Sequence, residues 1–309
     1  MNRSIRIGTR QSELATWQAN QVAALLAENG YQSELVFVKS EGDIDLQTPL
    51  YEMGVQGIFT RTLDIALLNN RIDIAVHSMK DVPTQLPTGI QQAAVLQRAS
   101  WKDLLVVRDD SSFMDDRYST AVIATSSIRR RAQWLNYYPN HTLVNLRGNI
   151  NTRLAKVKES EWNGAIFAAA GVDRINIRPE NSIELDWMLP APAQGAIMVV
   201  CRPDDEYVSS ACALFNDPET AICTKIERDF LRQLMGGCST PIAGLCEIVE
   251  GEAKFRGNIL SVDGLNKVSI EKSMAATKAS GLGVEAGIEI LANGGKEIIT
   301  KLMASNNLA

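Results

Sequence analysis

Two stretches of this chain begin alike, and together they restrict what it can fold into. Ile7-Gly8-Thr9-Arg10-Gln11-Ser12 is echoed by Ile123-Ala124-Thr125-Ser126-Ser127-Ile128. In each, a strand-like run ends in threonine and feeds a serine-rich helix start. The segments around them alternate in the same way. Residues 5–9 read as a strand and residues 12–29 as a helix, with Ser12 as N-cap and Gly30 as the stop. Ala15, Ala19, Val22 and Leu26 fall on one face of that helix. Residues 35–38 form a strand without a polar break, expected to be buried on both faces. A helix over about 59–69 then leads to a strand opening at Ile72, completing β-α-β-α-β. The pattern returns with strands at 104–107, 122–124, 143–146 and 165–169, and helices starting near Ser127 and Thr152. Such alternation implies an α/β chain with mainly parallel sheets and right-handed crossovers, in two similar lobes facing a cleft.

After Pro190 the run PAPAQGAIMVVCRPDD gives a strand at 197–201 and a turn. Helical patterns at 206–216 and 219–234 follow, the second stopped by Gly236-Gly237. The tail changes character. Three short strands near 243–250, 252–260 and 266–274 precede helices at about 281–292 and 295–303, the order of a small α+β domain. Residues 40–57 form a Gly- and Asp-containing connection too long for a routine link, which suits a functional lid or a mobile loop.

Composition removes several classes. No apolar run approaches membrane-spanning length, and the first residues, MNRSIRIGTRQSE, lack the apolar core of a signal peptide. The five cysteines are odd in number and form no C-x-x-C pair, which favours reduced thiols in the cytoplasm. Only His77 and His141 are available for a histidine metal site, so none is expected. A net charge of −5 argues against a general nucleic-acid binder and makes any local gathering of arginines more telling.

Such a gathering sits at strand ends. Ile72, Ile74 and Val76 alternate into Ser78-Met79-Lys80-Asp81-Val82-Pro83, where Pro83 forces a turn. Lys80 and Asp81 thus stand where open α/β sheets hold their ligands, although a lone pair of charges also suits a solvated turn. In the second lobe Thr125-Ser126-Ser127-Ile128-Arg129-Arg130-Arg131 follows a strand and opens a helix, which makes an anion site. Arg147-Gly148-Asn149 follows the next strand, Arg153 lies in the first turn after it, and Arg174 follows Gly171. Arg10 and Ser12 occupy the matching place in the first lobe. Arginine grips carboxylates through two parallel hydrogen bonds, so the expected ligand carries several carboxylates or phosphates. A solvated basic face is the plain alternative, but these arginines recur at strand ends and not along one helix stripe. No G-x-x-x-x-G-K-[ST] loop is present to hold a nucleoside triphosphate. Asp81 is expected to be the lone acid among them, placed to stabilise a cation or shuttle a proton. Cys238, after Gly236-Gly237, is a second candidate: a nucleophilic thiol, or simply a structural one.

These residues fall in six motifs: HSMKDVP, TSSIRR, LRGN followed by TR, AAAGVDR, PAPAQGA and GGCSTPI. In that order, and over nearly the whole chain, they resemble the hydroxymethylbilane synthase family, also called porphobilinogen deaminase. The resemblance implies two lobes like those of periplasmic binding proteins and a small C-terminal α+β domain. The corresponding divisions are 1–97 with 192–216, 98–191, and 217–309. It implies a dipyrromethane cofactor bound by thioether to Cys238. Four porphobilinogen molecules are added to that primer head to tail, each losing ammonia, and hydroxymethylbilane is released by hydrolysis. Asp81 would assist loss of the amine and stabilise the resulting cation. The cofactor would be held by Cys238, Lys80, Asp81, Thr125, Ser127, Arg129, Arg130, Arg147, Gly148, Ser78 and Asp43. The substrate would be held by Arg10, Ser12, Arg147, Arg153, Arg174 and Gln194. A cytoplasmic monomer acting on a small molecule, with no nucleic acid or membrane partner, completes the expectation.

One stretch departs from the family. Where other members carry V-G-G-K-G-L-F, this chain has Met53-Gly54-Val55-Gln56-Gly57-Ile58-Phe59, with Glu52 and Gln56 at two lysine positions. The loop is expected to act as a water-excluding cover through Met53 and Ile58, without direct lysine contacts. The rival reading is a non-catalytic two-lobed protein that binds a polycarboxylate. It explains the lobes and arginines but not the third domain with Gly-Gly-Cys.

Overall fold

The computed structural model describes residues 3–39, 60–235 and 240–306. The expected cover at 40–57, with Asp43, Glu52 and Gln56, lies outside the described residues, as do Gly236, Gly237 and Cys238. The first lobe opens with β1 (Ile5–Thr9), α1 (Glu13–Glu28), β2 (Ser33–Phe37), α2 (Arg61–Leu68), β3 (Ile74–Ser78) and β4 (Gln91–Val95). The chain then crosses into β5 (Asp103–Val107), β6 (Val122–Ala124), α3 (Ile128–Tyr137), β7 (Thr142–Val144), α4 (Ile150–Glu159), β8 (Gly164–Ala168), α5 (Ala169–Arg174) and β9 (Ser182–Glu184). It returns through β10 (Ile197–Cys201) and α6 (Glu206–Ala213). A third unit contains α7 (Pro218–Gln233), β11 (Ile242–Val249), β12 (Glu252–Leu260), β13 (Lys267–Ala275), α8 (Leu282–Ile290) and α9 (Lys296–Asn306).

The lobes are built on one plan. Strand order is β2-β1-β3-β10-β4 in the first sheet and β7-β6-β8-β5-β9 in the second. In each, the β-α-β-α-β unit is parallel: β2, β1 and β3 in one, β7, β6 and β8 in the other. The fourth strand of each sheet, β10 or β5, is antiparallel to both its neighbours. It arrives from the crossing between lobes and not over a helix on the sheet face, so it enters from the opposite end. Both sheets are therefore mixed. β4 and β9, which have weak apolar patterning, are additions to the strands expected from sequence.

β3 is enclosed on both faces, with only its last residue, Ser78, partly exposed. Ile74 and Val76 pack with Ile5, Ile7, Val22 and Leu26 on one face. Ala75 and Met79 pack with Leu63, Leu67 and Met198 on the other. Burial of each large aliphatic side chain stabilises by about 1.5–3 kcal/mol, so such a strand is a rigid base for whatever follows it. Ser12 caps α1 as expected, its Oγ accepting from the Ala15 N–H at 3.3 Å, and Gly30 turns the chain with φ +81°. The expectation that residues 35–38 are buried on both faces is overturned. β2 pairs only with β1 at the sheet edge, and Phe37 is half exposed. An edge strand has one neighbour, so an unbroken apolar run there covers less than it would in the middle.

Two crossings join the lobes, and they touch. The Ala99 N–H donates to Gly195 O at 3.1 Å, and Arg98 Nε to Gln194 O at 2.8 Å. The third unit is an antiparallel sheet, β11-β12-β13, with α7 and α8 packed through Phe230, Phe255, Leu282 and Ala286. Among the described residues, no helix is long and apolar enough to cross a membrane.

Candidate active site

β3 delivers Ser78 and then a single 3-10 turn, Met79–Asp81. The turn is tied down from two sides. Met79 N–H donates to Ala196 O at 3.0 Å, next to the returning strand β10. From α7, Arg228 donates to Val82 O at 2.8 Å and to Pro83 O at 2.6 Å. The third unit therefore holds the turn that carries Lys80 and Asp81, a role that the isolated Arg228 did not reveal in the sequence.

Across the cleft, α3 opens beneath β6. Ser127 Oγ accepts from the Arg130 N–H at 3.4 Å, and Thr125 Oγ1 accepts from the Ser127 N–H at 3.2 Å. Each hydroxyl keeps its proton to donate to a ligand. Gly148 has φ +115°, and an added Cβ would lie 2.9 Å from Thr152 Cγ2, so only glycine fits this turn. The carbonyl of Gly148 accepts from Arg153 Nε at 2.7 Å, and that of Arg147 accepts from Lys156 Nζ at 3.1 Å. Asn151 of α4 donates to Glu13 of α1 at 2.8 Å, bringing the two lobes together at the rim.

The centre of the cluster is a residue that the sequence reading passed over. Asp103, first in the apolar strand β5, is fully buried. It pairs with Arg129 Nη1 at 2.8 Å and Arg130 Nη2 at 2.7 Å. Burial works to raise its carboxyl, but the two guanidiniums outweigh that and hold it well below the usual carboxylate range. Asp81 is therefore not the lone acid of the cluster. Arg130 also donates to Ile166 O at 2.9 Å, so its fork is engaged by the protein. Gln194, expected to touch substrate, is buried and bridges the lobes instead. Its Nε2 donates to Asp103 Oδ1 and Trp101 O, both at 2.8 Å, while its Oε1 accepts from Lys80 Nζ at 3.1 Å. Burial first, and then Arg130, push the Lys80 ammonium down to about 8 against the pull of Asp81 and Asp103. Arg153 is pushed down to about 10 by burial, then by Arg130 and Arg147.

Arg174 is placed elsewhere. It lies over the Trp17 ring at 5.7 Å, donates to Gly195 O at 2.7 Å, and lines a cavity of about 570 Å³ with Leu25 and Phe215. Arg10 lines a much smaller pocket beside Asp81, Ser78 and His77. The described cations Lys80, Arg129, Arg130, Arg147 and Arg153 thus outnumber the carboxylates Asp81 and Asp103 that they interact with. Such an excess suits a polyanionic ligand.

The model of the porphobilinogen deaminase dipyromethane cofactor binding domain matches residues 5–210, and that of the porphobilinogen deaminase C-terminal domain matches residues 221–292. A probable porphobilinogen deaminase of Methanocaldococcus jannaschii is 42% identical over 293 residues, covering 93% of this chain and 99% of that one. The porphobilinogen deaminase of Syntrophomonas wolfei subsp. wolfei is 39% identical over 301 residues, 96% of this chain and 98% of that one. The chain belongs to the porphobilinogen deaminase family. Among solved structures, the VFT2 domain of Bordetella pertussis BvgS aligns at 11% identity with a TM-score of 0.42, over 68% of this chain and 85% of that one. Membership in the porphobilinogen deaminase family fits a site made at strand ends of two facing lobes, with the third unit gripping its central turn.

Proposed function

We propose that this protein is a hydroxymethylbilane synthase, a transferase that condenses four porphobilinogen molecules head to tail with loss of ammonia and releases the linear tetrapyrrole by hydrolysis. One observation carries the reading beyond family membership: a surplus of arginine and lysine gathers around two carboxylates, Asp103 within the cluster and Asp81 at the end of a rigid strand. Porphobilinogen has an acetate and a propionate on each ring, so a growing chain gathers anions that such a surplus would bind.

The residues present fit a dipyrromethane. Burial first, and then repulsion by Arg130 and Arg147, lowers the proton affinity of Arg153, and carboxylates placed among these guanidiniums would relieve the repulsion. Arg129, Arg147, Arg153 and Lys80, with the hydroxyls of Ser78, Thr125 and Ser127, would hold it, and Cys238 would carry it by thioether. When bound, the group supplies a pyrrole carbon nucleophile fixed in the cleft. The chain's own residues do the rest. The arginines orient substrate carboxylates, Asp81 stabilises the cation left as the amine departs and manages a proton, and Arg130 with Asp103 and Gln194 sets the geometry behind them. The separate sheets support the division into 1–97 with 192–216, 98–191 and 217–309. The buried thiols of Cys201, Cys212, Cys223 and Cys246 suit a reducing cytoplasm.

Incubation with porphobilinogen tests the reaction by ammonia release, and intact mass tests the anchor. The purified protein is expected to exceed its sequence mass by two linked pyrrole units. Cys238→Ala is expected to lack that mass and be inactive, whereas Cys246→Ala retains it. A wild-type mass equal to the bare chain, from cells able to make porphobilinogen, would sink the covalent reading.

A further inference from the structure

The turn that carries Lys80 and Asp81 is closed by a bond within itself, the Val82 N–H donating to Met79 O at 3.2 Å. On its upstream side the Met79 N–H anchors it to Ala196 O, next to the returning strand. Its downstream side differs. Pro83 lacks an N–H and that of Val82 is spent inside the turn, so hydrogen bonds can hold the backbone there only through carbonyl oxygens. Both carbonyls accept from one side chain. Arg228 donates through Nη1 to Val82 O at 2.8 Å and through Nη2 to Pro83 O at 2.6 Å. Nη1 also approaches Met79 O at 3.4 Å, so the guanidinium brackets Lys80 and Asp81 from both sides.

The guanidinium is itself held in place. Arg228 is buried in α7, and Glu227 before it accepts from Arg98, from the Ala193 N–H and from the Cys246 N–H. A buried, planar fork sets both the spacing and the tilt of the two successive peptide groups that it grips. The chain runs on from α7 to Cys238, ten positions after Arg228. One unit of the molecule thus supplies the cysteine proposed to carry the primer and the side chain that holds the Asp81 turn.

On the reading that this chain carries out the condensation described above, we infer that Arg228 is a positioning residue for it. Its grip on Val82 O and Pro83 O sets where the Asp81 carboxylate stands relative to the primer, and it acts on the reaction through Asp81 alone. Placement matters because proton transfer needs hydrogen-bond reach, and a shift of about 1 Å can cost roughly a hundredfold in rate. Every addition to the growing chain uses the same turn, so loss of the grip slows all additions alike. That separates Arg228 from the arginines of the cleft. Each of those meets particular carboxylates, and its loss would stall the chain at a particular length.

The test uses the primer-loaded protein with porphobilinogen, turnover being expressed per loaded site and bound intermediates being read by intact mass. Arg228→Ala is expected to lose about a hundredfold in kcat with KM nearly unchanged. Its intermediates should accumulate in wild-type proportions, only more slowly. Arg228→Lys keeps the charge but reaches one carbonyl at a time, so it should recover part of the loss. Guanidinium chloride, far below denaturing concentration and set against sodium chloride at equal ionic strength, should raise the turnover of Arg228→Ala by refilling the fork. A variant that was merely unstable would be slowed further by the same salt. Wild-type turnover per loaded site in Arg228→Lys overturns the inference, as does a stall at one chain length in either variant. Deepened loss with guanidinium in Arg228→Ala overturns it too, and where Arg228→Ala does not fold, Arg228→Lys decides alone. If the wild type itself liberates no ammonia from porphobilinogen, the proposed reaction falls, and this role of Arg228 with it.

Discussion

Asp81 and Lys80 are neighbours in one turn, yet the structure separates what their loss would do. Asp81→Asn keeps the shape of the turn, which depends on Met79 N–H and on Arg228, and removes the charge. Turnover is expected to fall by about two to four powers of ten with the melting temperature little changed, as for removal of a group that both stabilises charge and moves a proton. Near-normal turnover would mean that another carboxylate does the work. Lys80 predicts a pH effect. Its ordinary value of 10.5 is lowered to about 8 in the fold, so the unfolded chain binds the proton more tightly. Lys80 therefore opposes folding below about 8, and stability contributed by this site rises as pH climbs from about 8 to 10.5. Over the same rise the cleft loses one positive charge, so the KM for the anionic substrate should increase. Lys80→Arg, which stays charged, is expected to flatten that rise, and an unchanged alkaline profile in the variant would assign it to a different group.

At the scale of elements, the contact between the two crossings is the sensitive place. Gly195 has φ +87°, and a Cβ there would stand 2.7 Å from both Ala99 O and Ser100 O. Backbone cannot move aside as a flexible side chain can. Gly195→Ala is thus expected to cost more than about 2 kcal/mol through strain and forced separation of the crossings. Denaturant titration checks the cost, and because Gln194 beside it bridges Lys80 and Asp103, turnover should fall as well. Loss of neither would mean that the crossings yield freely. The glycine in PAPAQGA was visible in the sequence, but the carbonyls it must clear come from residues about 95 positions earlier, by the chain numbering. The same limit runs through the whole comparison. Local signals were legible: Ser12 as a cap, a helix start near Ser127, Gly30 as a stop, and the arginines at strand ends. Facts that depend on a distant partner were not. Asp103 looks like the polar start of an apolar strand until Arg129 and Arg130 close on it, and Gln194 looks like a loop amide until both lobes reach it. Arg174 keeps its place after a strand but turns toward Trp17.

Across the whole molecule, Glu227 of α7 is where the parts are joined. Its Oε1 accepts from Arg98 Nη1 at 2.6 Å and from the Cys246 N–H of β11 at 2.7 Å. Its Oε2 accepts from Arg98 Nη2 at 3.1 Å and from the Ala193 N–H at 2.6 Å. One fully buried carboxylate thus holds both crossings and the third unit's sheet, and Arg228 beside it grips the Asp81 turn. Buried ion pairs are poor stabilisers compared with apolar replacements, but breaking one partner leaves a stranded charge costing about 3–5 kcal/mol. Glu227→Gln is therefore expected to lose stability of that order and to split thermal unfolding, with the third unit melting apart from the lobes. Replacing both partners, Arg98→Leu with Glu227→Leu, removes the stranded charge but leaves the Cys246 and Ala193 N–H groups buried without an acceptor. At about 1–3 kcal/mol for each orphaned donor, the double variant should remain clearly less stable than wild type. Calorimetry of the three proteins decides the matter. Full recovery in the double variant would show that the carboxylate serves Arg98 alone, and that its backbone contacts do not hold the three parts of the molecule together.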